Sequence, residues 1–396
     1  MAEKLLLGML KAGQKATKIA QLCRAEKDLF EILVQEKGRL KSNDLDFKTL
    51  ADVFIQQVAK SELEKEFPGI GKRVYGEENN EFTNTLGETI FVKVEKTVEQ
   101  TAELLAKVVD GNKSAPRLLA QAAHDNVEAT SIYPTSDELK LVGECEINID
   151  QVAFWIDPID GTSQYVKGIE DGPVNCNHVH AKGLHCVTVL IGAYDIMTGL
   201  PIVGVVYQPF YKKMEPSGCW KEMCYWGICH NEKRITNCQH IFESNIEKRS
   251  NSSGYSVVSS THDQLICNLI PKIPNAQVCV ASGAGYKSLC VILGLVDVFV
   301  YSDDACYKWD TCATQAISMA LGGNIVTLKK AMKCSNNNFH CDSLHPTQVK
   351  YKDQNPTPAC PWANVGGLLV FNSSPRSKEC TKKILEVASE MHLFEK

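Results

Sequence analysis

Val152-Ala153-Phe154-Trp155-Ile156 runs directly into Asp157-Pro158-Ile159-Asp160-Gly161-Thr162, and this junction constrains the chain more than any other stretch. The apolar part is rich in β-branched and aromatic residues and fits a strand buried on both faces, so two acids arrive together at a strand end. Pro158 cannot continue a hydrogen-bonded ladder and holds Asp157 extended, while Gly161 permits a sharp reversal. The expectation is that the backbone turns between the two carboxylates. Asp157, Asp160 and the Ile159 carbonyl then converge. Carboxylate and carbonyl oxygens are the ligands of hard cations such as Mg²⁺, and a cation relieves the repulsion of two acids three residues apart. An Asx-type turn closing a strand accounts for the same string equally well.

Two further stretches bear on that choice. Glu77 and Glu78 follow Arg73-Val74-Tyr75, a short strand or turn entry, where a solvated acidic face is the ordinary reading. Trp309-Asp310-Thr311 opens a segment with apolar residues at Ala313, Ala316, Ile317, Ala320 and Leu321, a helical stripe that stops at Gly322-Gly323. Asp310 therefore stands at a helix N-terminus, where an N-cap role is the ordinary one.

The set of Asp52, Glu77-Glu78, Asp157-Pro158-Ile159-Asp160-Gly161-Thr162 and Trp309-Asp310 resembles the motifs of the lithium-sensitive, Mg²⁺-dependent phosphomonoesterase (inositol monophosphatase) superfamily. Strings outside the metal motif resemble its inositol polyphosphate 1-phosphatase branch. They are Asp46 to Asp52, Gly76 to Asn84, Gly283 to Cys290, and Trp362-Ala363-Asn364 with Gly366-Gly367-Leu368. Gly161 departs from that branch, where Ser is expected, and matches the monophosphatase branch instead; this bears on the branch and not on the chemistry.

The resemblance implies an α/β fold of sandwich type, layered α-β-α-β-α, in which two or three Mg²⁺ ions serve one active site. Glu77, Asp157 and the Ile159 carbonyl would hold a first metal, and Asp157, Asp160 and Asp310 a second. Glu77 and Thr162 would orient and deprotonate the attacking water, while Glu78 and Asp52 would form an outer shell or a third, weaker site. The implied reaction removes the 1-phosphate from inositol 1,4-bisphosphate and inositol 1,3,4-trisphosphate, with inhibition by Li⁺. A bisphosphate nucleotidase and a non-catalytic inositol phosphate scaffold are the rival readings.

Composition narrows the partners. At 396 residues the chain is long enough for two packed units. With 42 basic and 47 acidic residues the net charge is −5, which offers no broad basic face to nucleic acid or to an anionic membrane. Small-molecule substrate, a monomer and a cytoplasmic location are expected, since no stretch reads as a signal or a membrane span. The 17 cysteines contain no Cys-x-x-Cys pair and read as reduced, mostly buried thiols. Cys219, Cys224, Cys229 and His230 fit zinc spacing poorly.

Along the chain, residues 4–37 suggest two amphipathic helices, and a further helix is expected from Asp46 to before Phe67, with Asp52 as an ordinary solvent-facing acid. Thr97 to Val109 is helical in pattern. Cys186 to Tyr194 and Pro201 to Gln208 form a hairpin turning at Gly199, so a first unit (1–250) should carry an antiparallel sheet. The second unit (251–396) alternates strand and helix, which argues a mixed or parallel sheet. There Ser282-Gly283-Ala284 lies between a strand and a helix whose free N–H groups favour an anion, and Lys287 adds charge. Ser259, Ser260 and Thr261 are weaker candidates for the same pocket, to which Asp160, Gly161, Thr162 and Asp310 would also contribute. Residues 333–361 read as a long surface excursion.

Overall fold

β-branched and aromatic runs become strands wherever turn residues bound them. The computed structural model describes residues 1–25, 34–39, 45–84, 86–109, 114–127, 133–252, 254–260, 263–334, 341–352 and 361–392. Thr261 therefore lies outside the described residues. The helices are α1 (Ala2–Ala25), α2 (Leu50–Glu66), α3 (Val98–Val108), α4 (Ser114–His124), α5 (Ser136–Gly143), α6 (Thr162–Lys167), α7 (Gln239–Lys248), α8 (Gln264–Leu269), α9 (Ala284–Ile292), α10 (Lys308–Ala320), α11 (Leu328–Cys334) and α12 (Pro375–Glu390).

Two large sheets organise the chain. The first contains β3 (Val74–Gly76), β6 (Val152–Asp160), β7 (Thr188–Asp195), β8 (Pro201–Lys213), β9 (Trp220–His230) and β10 (Lys233–Thr236) in the order β10-β9-β8-β7-β6-β3. It is antiparallel, as expected, except that β3 runs parallel to β6 at the edge. The second contains β11 (Tyr255–Ser259), β12 (Ala276–Val280), β13 (Val298–Tyr301), β14 (Asn324–Thr327) and β15 (Leu368–Phe371) in the order β12-β11-β13-β15-β14, and it is mixed. Two small pairs, β1 (Val34–Arg39) with β2 (Leu45–Thr49) and β4 (Glu81–Thr83) with β5 (Thr89–Phe91), complete the strands.

Strand alternation sorts the residues into five layers. From the first sheet, Phe154, Ile156, Val205 and Trp226 join α1 and α2 in one core. Leu190, Val206 and Tyr225 face the other way, onto α9 and α10. The second sheet sends Val258, Phe299 and Val370 back toward the same middle helices, and Val257, Val300 and Leu369 outward to α8, α11 and α12. The order is thus α-β-α-β-α.

A row of glycines sets how closely the middle layer approaches. Gly192 of β7, Gly204 of β8 and Gly227 of β9 are register partners across three strands. A Cβ at Gly192 would lie 2.6 Å from the Ala313 nitrogen, and one at Gly204 would overlap the Ala313 carbonyl. Helix α10 rests its backbone on this bare track, so the glycines fix where its N-terminus points.

Several expectations are corrected. The first expected helix is Ala2–Ala25; the second, with Leu29, Ile32 and Leu33, falls outside the described residues, and its expected end lies in the strand Val34–Arg39. The next helix begins at Leu50, not Asp46, because Thr49 caps it: its hydroxyl accepts from the Asp52 N–H while the Asp52 carboxylate accepts from Thr49, and residues 45–49 are strand. Leu344 and Tyr351, expected on a surface excursion, are fully buried, and the Trp155 indole donates to the Tyr351 carbonyl at 3.1 Å. Most of the described cysteines are free thiols, but Cys279 is disulfide-bonded.

Candidate metal centre

The two acids of the central string do not flank a turn. All nine residues of β6 are buried, and the strand continues through Asp160. In a regular strand residues three apart point to opposite faces. Here Asp157 pairs with Leu190 and Asp160 with Thr188, so three steps on β6 match two on β7, a β-bulge that brings both carboxylates to one face. The reversal comes one residue later, at Gly161, whose φ of +83° lies in the left-handed region and lets α6 start at Thr162. Thr162 Oγ donates to the Ile159 carbonyl at 3.0 Å.

Asp310 arrives from the other side. It occupies the third position of α10, not its N-cap; Tyr307 is the cap, and its N–H donates to the Asp310 carboxylate. Asp157, Asp160 and Asp310 each offer an oxygen within 4.8 Å of the others. Asp157 Oδ1 is buried with no hydrogen-bond partner in the structure.

Asp160 is held most tightly. Thr188 Oγ donates to it at 3.0 Å, and the N–H groups of Ala284 and Gly285 donate at 3.0 and 2.9 Å. Gly283 has φ +76°, and a Cβ there would stand 2.8 Å from the Asp160 carboxylate, so only glycine admits this approach. The helix terminus expected to receive a substrate anion thus receives the protein's own carboxylate. Lys287 is buried, donates to Ser260 Oγ at 2.6 Å, and lies over the Phe299 and Tyr301 rings at 4.9 and 5.5 Å. Ser259 Oγ donates to the Val300 carbonyl and Ser282 Oγ to that of Ala181, so both hydroxyls are engaged within the protein.

The remaining acids stand at the end of β3 and the start of α2. The Glu77 N–H donates to the Ile156 carbonyl at 3.2 Å, which seats Glu77 beside the end of β6. Glu78 turns away: its carboxylate pairs with Lys48 at 3.2 Å, and its backbone is gripped at both N–H and C=O by the Gln56 carboxamide. Asp52, expected to face solvent, is 1% exposed and accepts from Thr49 N and Oγ at 2.7 and 2.5 Å, leaving Oδ1 without a partner. Thr188 and Gln56 were not singled out from sequence. A threonine in a buried strand and a glutamine on a helix carry no local signal.

Charge repulsion is stored in this arrangement. Burial, then Glu77, Asp160, Asp310 and Asp52, pushes Asp157 well above the ordinary carboxylate range. Burial and Asp160 push Asp310 to about 8, and burial and Glu78 push Asp52 to about 8. Burial lowers Lys287, opposed by Asp160. Two orphaned buried oxygens and a converging all-oxygen donor set fit a hard divalent cation.

A stability measurement follows from the sign of these shifts. Between about pH 4 and pH 8 the unfolded chain has released the Asp52 proton while the folded, metal-free protein keeps it, so stability falls as pH rises, by about 1.4 kcal/mol per pH unit for such a group. Cation binding needs the ionised acids and reverses the trend. The rise in Tm on replacing EDTA with Mg²⁺ should be larger at pH 8 than at pH 6. Equal increments at the two pH values would contradict the linkage.

The model of the Inositol monophosphatase family matches residues 8–355. Inositol polyphosphate 1-phosphatase of Mus musculus is 40% identical over 395 residues, covering 96% of this chain and 97% of its own. The Homo sapiens protein of that description is 39% identical over 390 residues, covering 94% of each chain. A 3'(2'),5'-bisphosphate nucleotidase 1 of Mus musculus is 27% identical over 186 residues, covering 46% of this chain and 52% of its own.

Proposed function

This chain belongs to the inositol monophosphatase family and is a phosphatase, and from that premise we propose that it removes the 1-phosphate from inositol 1,4-bisphosphate and inositol 1,3,4-trisphosphate. The observation that carries the reading is the convergence of Asp157, Asp160 and Asp310 on one point, in a chain that inositol polyphosphate 1-phosphatases match almost end to end.

Asp157, Asp160 and Asp310, with Glu77 and the Ile159 carbonyl, would hold Mg²⁺, and Asp157 would be shared between two ions. Bound there, Mg²⁺ would neutralise phosphoryl charge and acidify a water. The chain's own contribution is position. Asp160 is locked by three donors, so its geometry does not depend on the ligand. Asp310 is tied to the Tyr307 N–H and carried on a helix seated directly against the glycine track. Glu77, at the end of β3, is the group we assign to take the proton of the attacking water, with the Thr162 hydroxyl orienting it. Asp52 and Glu78 would form the outer shell, where a third, weaker ion could sit. Li⁺ is close to Mg²⁺ in size with half its charge, and the proposal includes its uncompetitive inhibition.

Phosphate release from a panel tests the reading: inositol 1,4-bisphosphate, inositol 1,3,4-trisphosphate, inositol 4-phosphate and adenosine 3',5'-bisphosphate, each with Mg²⁺ and with Mg²⁺ plus Li⁺. The first two should be hydrolysed at least about tenfold faster than the others, with inhibition by Li⁺ deepening as substrate rises. Preference for the adenosine bisphosphate would transfer the chain to the nucleotidase reading, which the short alignments with nucleotidases do not favour. Competitive Li⁺ kinetics would remove the lithium part alone.

A further inference from the structure

A cavity of about 340 Å³ opens at the edge of the first sheet, lined by Gln57, Lys60, Tyr75, Asn80 and Trp362 among others. Tyr75 pairs with Trp155, two residues before Asp157, so the cavity adjoins the metal centre without containing its acid triad. Glu78 also lines it, but that carboxylate is paired with Lys48.

The shape of the aromatic wall, with the polar groups at its rim, narrows the ligand. Tyr75 is 39% exposed, and its ring lies 6.2 Å from that of Trp362 at a tilt of 33°, with Trp155 behind them at 5.2 and 4.8 Å. A flat base held between two rings needs about 7 Å between them, two carbon contact distances. The Tyr75 and Trp362 centroids, 6.2 Å apart, leave no such slot, and the two rings make one tilted platform. A platform suits the C–H face of a puckered, hydroxylated ring, whose equatorial hydroxyls point sideways to hydrogen-bonding groups. Gln57 and Asn80 bring carboxamides to the rim, and Lys60 brings an ammonium for an anionic substituent. The wall is fixed, because Gln56 is bonded both ways to the Glu78 backbone and packs against Gly76.

We propose that this cavity is a second binding site, distinct from the point where Asp157, Asp160 and Asp310 converge, for a phosphorylated cyclitol or sugar ring. It does not depend on the hydrolytic reading, since it needs no metal. The test is calorimetric titration of the full chain in EDTA with myo-inositol 1-phosphate, and with adenosine monophosphate as the flat-ring rival. One saturable event is expected for the inositol phosphate, weakened at least tenfold in Tyr75→Ala and in Lys60→Met and retained in Tyr75→Phe. Lys60 lies half-buried on α2 and its substitution leaves the core untouched, so Lys60→Met remains informative if Tyr75→Ala fails to fold. Absence of saturable heat overturns the site. Binding unchanged in Lys60→Met also overturns it, by placing the ligand at the acid triad. Tighter binding of adenosine monophosphate overturns the choice of ligand class.

Discussion

Asp157→Asn should lower kcat/KM by at least about a thousandfold, equivalent to about 4 kcal/mol of transition-state stabilisation. Asparagine keeps the shape of the side chain and removes the charge that faces Asp160, Asp310 and Glu77 together. Asp160 is tied to Thr188, Ala284 and Gly285, and Asp310 to Tyr307, so neither can swing into the place of Asp157. The same substitution should stabilise the metal-free protein near neutral pH, since it removes a buried carboxyl group that must either take up a proton on folding or repel its neighbours. Activity and the Tm in EDTA should therefore move in opposite directions. Glu78→Gln is the comparison: with its charge already paired to Lys48, it should cost far less activity. Equal losses for the two variants would remove Asp157 from the shared position.

Gly204→Ala, one added methyl in the middle of β8, should cost about 3 kcal/mol or more of stability and at least about a hundredfold in kcat. The methyl would occupy the place of the Ala313 carbonyl, which belongs to a helix backbone and cannot swing aside as a side chain can. Overpacking of this kind is costly in a close-packed interior. Its second effect is catalytic. Lifting α10 moves Asp310, and a displacement of about 1 Å at a reacting centre is enough for a hundredfold loss. Gly143→Ala is the control, since a Cβ at Gly143 meets nothing within 4 Å. Urea unfolding and Mg²⁺ titration of both variants would check the coupling. A Gly204→Ala enzyme of lower stability but unaltered Mg²⁺ affinity and rate would show that the track serves packing alone.

The elements that carry the chemistry were legible because each has its own local code. A continuous apolar run reads as a doubly buried strand, and β6 is buried at every residue. The stripe from Ala313 to Leu321 reads as a helix starting near Asp310, and α10 spans Lys308–Ala320. The hairpin at Gly199 and the strand–helix alternation after residue 254 also match. Glycines 192, 204 and 227 carried a readable signal too, since glycine inside a strand marks a close backbone approach. What that approach was made by, a helix more than a hundred residues ahead of Gly192 and Gly204, lay outside any window.

By itself the sequence determined which side chains are available for metal chemistry, which of them end strands or begin helices, and that an antiparallel sheet is followed along the chain by a sheet of another kind. Hydrophobic periodicity and turn chemistry are properties of neighbours, so these follow from short stretches. Tertiary structure alone decided that Asp157 and Asp160 share a face, because the side of a strand on which a residue lies depends on register with β7, and the bulge resets that parity. It alone decided that Asp52, by pattern a surface acid, is buried against Glu78, and that the N-terminus of α9 holds Asp160. Desolvation and charge proximity are set by groups 26 to 124 positions away in these cases, and no spacing along the chain encodes them.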